Sequence, residues 1–213
     1  MTLRQILTGA AAVTAAAAVA APAVATKTPP APAPAPTIAD VLLSDAKGDR
    51  DGFDHNPWDY DIVTQAVLAF PDLTAAAGNK DADLTVFAPN DRAFRMLVWD
   101  LTKKWYRTEA QTFQALLDAV GPDTVKTVLT YHIVPKAIPA SAALQSDGAE
   151  LTTLQGGVVK VDVIGKKKWA AIKLIDLDPT DRNPWVVQTD IGGALDNGYI
   201  HGINRVLRPA DLP

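Results

Sequence analysis

The sequence predicts an α+β fold whose sheet is mostly antiparallel. Two patterns carry that expectation. In several stretches between residues 38 and 130 apolar side chains recur at three- and four-residue spacing, as helices require. From Leu151 onward they alternate with polar ones, as half-buried strands do. Helices first and strands later is the order of an α+β domain rather than of alternating βα units.

"TIADVLLSD" (37–45) opens a helix, with Thr37 as its N-cap and Ile38, Val41 and Leu42 on one face. "YDIVTQAVLAF" (60–70) lines Ile62, Val63, Ala66, Val67 and Phe70 along a second helix, and Pro71 marks its end or a turn just after it. Leu84 to Phe87 is a short β-prone run stopped by Pro89, after which Asn90 or Asp91 caps a helix carrying Ala93, Phe94 and Leu97. "TFQALLDAVG" and "DTVKTVLTYHIVP" read as two more helices, the second passing into strand near Tyr131. Val159, Val161 and Val163 alternate with polar partners, and "KWAAIKLIDL", "WVVQTDI" and "YIHGINRVLRP" supply three further strands. "GKKKW" (165–169) reads as a solvated hairpin tip.

The first 25 residues have the build of a secretory signal: Arg4, an Ala/Val-rich run, and Ala23-Val24-Ala25 as a small-x-small cleavage site. Alanine is weakly apolar and Pro22 interrupts the run, which argues against a spanning helix. Residues 26–36 alternate Pro and Ala, the composition of an extended polyproline II spacer, and the folded part is expected over 37–213. The chain has no cysteine, so neither disulfides nor a lipidated cysteine enter, and its core must hold the fold alone. A net charge of −4 and no basic patch exclude nucleic acid as an expected partner. The expectation is a secreted, extracellular or periplasmic protein with no membrane span after signal cleavage.

Three stretches resemble the fasciclin (FAS1) domain family: "TVFAPNDRAF" (85–94), "LTYHIVP" (129–135) and "TDIGGALDNGYIHGINRVLRP" (189–209). Their order and spacing match, and the resemblance extends from Thr37 to the C-terminus. It implies a fasciclin-like, mostly antiparallel β-sheet wedge or sandwich with helices packed around it. Asn197-Gly198 reads as a two-residue hairpin turn because both residues tolerate positive φ. Asn90, Arg92 and Asn204 stand where the family usually has Thr, Glu and Asp. Extra residues lie near 45–61, 98–108 and 164–186.

The candidate sites fall into three sets. The resemblance ties Tyr131 and His132 to cell-surface receptor binding in some animal members; the residues themselves read equally as a buried pair at a helix-to-strand joint. Trp99, Trp105 and Tyr106, in "LVWDLTKKWY", suit a groove for an apolar ligand or ordinary helix packing, and some fasciclin-like proteins bind pigments. The third set is a repeat: "DGFDHNPW" (51–58) and "DPTDRNPW" (178–185) share the frame D-x-x-D-x-N-P-W. In the first copy the acids do not fit an EF-hand loop, whose twelfth position would fall on Trp58. Asn56 reads either as an N-cap with Pro57 first in the helix, or with Asn183 as an Asx-Pro turn that aims a tryptophan. With Trp58 and Trp185 packed side by side, Asp51, Asp54, Asp178 and Asp181 would crowd together. Calcium or nearby basic side chains would neutralise them. Beyond calcium at these loops, no cofactor is expected.

No G-x-S-x-G elbow, H-E-x-x-H pair, Walker loop or G-x-G-x-x-G occurs, so no enzyme is expected. The reading is an exported binding module for cell adhesion or cell-surface interaction. Its partner would be an extracellular or cell-surface protein, a polysaccharide, or a second copy of itself. The alternative is a soluble carrier of an apolar small ligand such as a pigment or lipid.

Overall fold

The computed structural model describes residues 34–45, 52–166 and 169–212. The expected signal sequence, most of the linker, Arg50 and Asp51 lie outside the described residues. Within them the α+β expectation holds, with seven helices and two sheets. No described helix is long and apolar enough to cross a membrane.

The helices start where the sequence provides caps. In α1 (Ile38–Asp45) the Thr37 hydroxyl accepts the Asp40 N–H at 3.2 Å while Asp40 accepts the Thr37 N–H at 2.8 Å, a reciprocal box. In α4 (Asp91–Thr102) Asn90 accepts the Ala93 N–H at 2.9 Å. Between them lie α2 (Asp61–Leu68) and α3 (Pro71–Gly78). Pro71 does not merely end α2; it begins α3, where its fixed φ and missing N–H are tolerated. Thr108 caps α5 (Glu109–Val120), and α6 (Pro122–Tyr131) again opens on proline. A short α7 spans Ala140–Ala143.

The four-stranded sheet is ordered β2 (Ile133–Val134), β1 (Leu84–Pro89), β7 (Gly198–Ile203), β6 (Val186–Gln188). The three-stranded sheet is β3 (Glu150–Thr152), β4 (Val158–Ile164), β5 (Ala171–Ile175). All strand pairs are antiparallel except the central one: β1 and β7 run parallel, with Thr85 opposite Tyr199 and Phe87 opposite His201. Every residue of β1 is buried, as a strand covered on both faces must be. Leu84, Val86 and Ala88 enter the core under the helices, whereas Phe87 enters the core beneath the three-stranded sheet. That second core, with Tyr131, Val159, Leu174, Ile203 and Leu207, leaves an internal space of only about 10 Å³.

The expected Asn197-Gly198 turn is displaced by one residue. Leu195 pairs with Gly198, so Asp196 and Asn197 occupy the turn, and Asn197 keeps a negative φ. Gly198 has φ 141° and packs against the Leu84 carbonyl, where a Cβ would overlap it. Asn197 is instead a buried peg. Its Oδ1 accepts the Ile38 N–H at 2.9 Å, and its Nδ2 donates to the Ala77 carbonyl at 2.7 Å and the Asn79 carbonyl at 3.1 Å.

His132 is a second peg. Its Nδ1 donates to the Val128 carbonyl at 2.7 Å and its Nε2 accepts the Leu207 N–H at 2.9 Å, which fixes a neutral tautomer. Tyr131 beside it is fully buried, and its hydroxyl donates to the Val158 carbonyl at 2.8 Å. His201 bridges likewise: Nε2 donates to the Ile138 carbonyl at 2.8 Å, and Nδ1 accepts the Asp190 N–H at 3.3 Å.

Two measurements check these pegs. Asn197→Ala removes the partner of two buried backbone groups, the Ile38 N–H and the Ala77 carbonyl, and is expected to cost about 2 kcal/mol, read as a lower urea midpoint with an unchanged slope. For His132, burial pushes the imidazole down to about 4. An unfolded chain protonates it near 6.5, so the unfolded state gains the proton first as pH falls. His132 therefore contributes about 3 kcal/mol that is fully present above pH 6.5 and lost as pH falls towards 4. In His132→Asn this component disappears: the stability gap between wild type and variant narrows from pH 7 to pH 4.5.

Candidate functional site

Among the described residues a groove of about 730 Å³ runs along one side of α4. Pro57 from the first D-x-x-D-x-N-P-W loop lines it, as do Thr180, Asp181 and Arg182 from the second. The two copies thus border one groove, but they are built differently. In the first, Asn56 Oδ1 accepts the Trp58 N–H at 3.2 Å, an Asx turn. Residues 57–58 form a turn and α2 starts only at Asp61, so Asn56 is not a helix cap. The loop is pinned to α4 where the Arg92 N–H donates to the Pro57 carbonyl at 2.8 Å and the Asp91 N–H to the Asp59 carbonyl at 3.0 Å.

In the second copy Asn183 accepts the Asp176 N–H at 3.2 Å, and the Trp185 N–H donates to Asn204 Oδ1 at 2.8 Å. The amide at 204, where the family usually has Asp, therefore holds this loop. The tryptophans do not mirror each other. Trp58 is 59% exposed beneath the Arg92 guanidinium, 5.2 Å from ring centre to carbon, whereas Trp185 is half-buried beside β6.

The acids separate into two groups. Asp178 and Asp181 share one buried cation: Arg208 reaches Asp178 at 3.4 Å, Asp181 at 3.2 Å and Asp100 of α4 at 3.0 Å. Arg205 adds a contact to Asp181 at 3.5 Å. Burial works against the Asp178 carboxylate, but bonds from the Thr180 hydroxyl and N–H, with Arg208, hold it below its usual range. Burial pushes nearby Asp176 up to about 6, opposed by the Arg208 N–H.

Asp54 belongs elsewhere. Its carboxylate groups with those of Asp61 and Glu109, and Asp61 groups in turn with Asp59 and Asp91. Among the described residues no such group includes Asp178 or Asp181. Asp61, Asp91 and Glu109 are the first residues of α2, α4 and α5, so three helix N-termini converge on the cluster. Asp61 accepts the Asp54 N–H at 2.9 Å, Asp91 accepts the Ile62 N–H at 3.0 Å, and Arg95 pairs with Glu109 at 2.8 Å. Burial first, then the charges of Asp59 and Glu109, raise Asp91 to about 9 against the pull of the Ile62 bond. Burial also raises Glu109, with Arg95 opposing. Sequence reasoning missed Asp61, Asp91 and Glu109; the one signal available was an acid at the start of three successive amphipathic helices.

The aromatic candidates meet at the groove. Trp99 (46% exposed) and Trp105 (65% exposed) line it, and Lys103 lies 4.9 Å from the Trp99 ring centre. Tyr106 lines a neighbouring depression of about 330 Å³, which shares Trp105. Around the groove stand four arginines, Arg92, Arg95, Arg182 and Arg205, against two aspartates, Asp100 and Asp181. Tyr131 and His132 are buried in the core beneath the three-stranded sheet and at its edge, where a partner at the surface would not touch their side chains.

Over residues 60–209 the sequence matches the Fasciclin domain family. Among solved structures, a similar chain is the FAS1 domain pair from the insect cell adhesion molecule Fasciclin I, with 20% identity and a TM-score of 0.48. The match covers 70% of this chain and 43% of that one, so this chain spans less than half its length. No curated protein matches. The family match takes in well over half of the 213 residues, and the chain belongs to the fasciclin domain family, known for modules of cell adhesion.

Proposed function

We propose that the chain is an exported, non-enzymatic binding module that attaches to extracellular polymers through the groove beside α4, with an acidic polysaccharide as its occupant. The observation that carries this reading is the pairing of open tryptophans with surplus arginines. Trp99 and Trp105 keep large apolar faces in solvent, where rings of that size are normally covered or used in recognition. Sugar rings offer flat C–H faces to an indole, and guanidinium groups pair with carboxylates through two parallel bonds. Arg92 and Arg182 are both exposed at the groove, and its volume falls within the usual range of ligand sites. The signal-like N-terminus supports export.

The carrier reading draws on the same tryptophans and on the adjoining depression that holds Tyr106. An apolar ligand would have to lie in this charged groove, since the space between the sheets is too small for one.

Binding of the purified full chain to polygalacturonate and to neutral dextran, with Trp fluorescence as the readout, tests the proposal. The expected result is salt-sensitive binding to polygalacturonate alone, weakened about tenfold or more by Arg182→Glu and by Trp105→Ala. Equal binding to dextran, or binding that neither variant changes, would sink it. Capture of a neutral lipid or dye in place of the polymer would favour the carrier.

A further inference from the structure

On the reading of the groove as a site for an acidic polysaccharide, we infer that it is the middle of a longer track. The track grips an internal run of sugar units laid along α4, and neither a chain end nor a single sugar.

The helix is its ruler. Arg92, Arg95, Met96 and Trp99 line the groove at positions i, i+3, i+4 and i+7 of α4, so they form one stripe along the helix. From Arg92 to Trp99 that stripe rises about 10 Å, longer than one sugar ring. Lys103, just past the last residue of α4, continues it over the Trp99 ring.

The groove is open and leads on at both ends of the helix. At the start of α4, Pro57 lines the groove while its neighbours Trp58 and Asp59 line a further depression of about 410 Å³. Arg92 joins the two, since it lines the groove and lies over the Trp58 ring. Beyond the end of α4, Trp105 is common to the groove and to the depression of about 330 Å³ that holds Tyr106 and Arg107. A closed end wall is what selects a chain terminus, and here each end opens into further space. Trp58, Trp99 and Trp105 follow one another along this line, each with much of its ring in solvent and able to meet the flat C–H face of a sugar.

The charges are spread over the same length. Among the described residues Arg92, Lys103, Arg107 and Arg182 are exposed and make no ion pair. The two aspartates of the groove, Asp100 and Asp181, both pair with the buried Arg208. Cations set at intervals suit a polymer that carries a carboxylate on every unit. Linked units also help each other, because the first one bound holds the next close to its place.

Titration of the purified full chain with a graded set of galacturonate oligomers, from the single sugar to the polymer, tests the track. The expected result is an affinity that climbs with chain length and levels off once an oligomer reaches from Trp58 to Arg107, a gain of about tenfold or more. Trp58→Ala and Arg107→Glu change exposed positions at opposite ends of the track. Each should weaken the longest oligomers about fivefold or more and leave the shortest unchanged. Polymer with both chain ends chemically blocked should bind as tightly as untreated polymer. A single sugar that binds as tightly as the polymer would overturn the track and leave the groove's acidic-polymer reading standing. Long oligomers indifferent to both variants, or binding lost on end blocking, would do the same. No binding of the polymer by the wild-type chain would remove the groove reading itself, and the track with it.

Discussion

The parallel pairing of β1 with β7 is the constraint around which the rest is arranged. It joins residues more than a hundred positions apart, and closing so long a loop costs entropy before any contact repays it. Two cores repay it, one on each face of the strand, so β1 has no polar face at all. The ends of the pair are then fixed by polar side chains rather than by more apolar ones. Asn197 ties the start of β7 to α1 and α3, while His132 ties the end of α6 to the segment after β7. Removing either peg exposes no new surface but leaves buried backbone groups without partners, which is why single atoms matter at these positions.

Around this frame the two acidic loops answer one electrostatic problem in two ways. In the second loop Arg208 is itself buried and spreads one guanidinium over three carboxylates, and Arg205 adds a second contact to Asp181. Around the first loop Arg95 pairs with Glu109, and the N-termini of α2 and α4 begin at Asp61 and Asp91. Identical letters in sequence thus acquire different chemistry from what the fold places behind them.

Much of the architecture was legible from local signals. Thr37 and Asn90 cap the helices they precede, and the valines of β4 alternate as their spacing implies. What escaped was set at long range. Neither the parallel direction of β1 against β7 nor the inward turn of Asn197 follows from any short window, because an Asn-Gly pair advertises a turn and says nothing of what lies beneath it. The groove was legible as its tryptophans but not as its arginines, which come from three separate segments. Asp54 stood out within a repeat, yet its neighbours Asp91 and Glu109 looked like ordinary first-turn acids; only the packing of three helix starts brings them together.

The two anchoring points of β7 also set how the domain would carry tension. Residues 36–38 are fastened beside the strand's first residue, through the bonds from Ile38 to Asn197 and from Asp196 to the Pro36 carbonyl. The chain leaves from the strand's other end, towards Arg208. A pull on residues 36 and 208 therefore runs along β7 and loads its hydrogen bonds to β1 and β6 in shear, all together, instead of peeling them one at a time. Resistance of that kind is governed by the unfolding rate rather than by equilibrium stability.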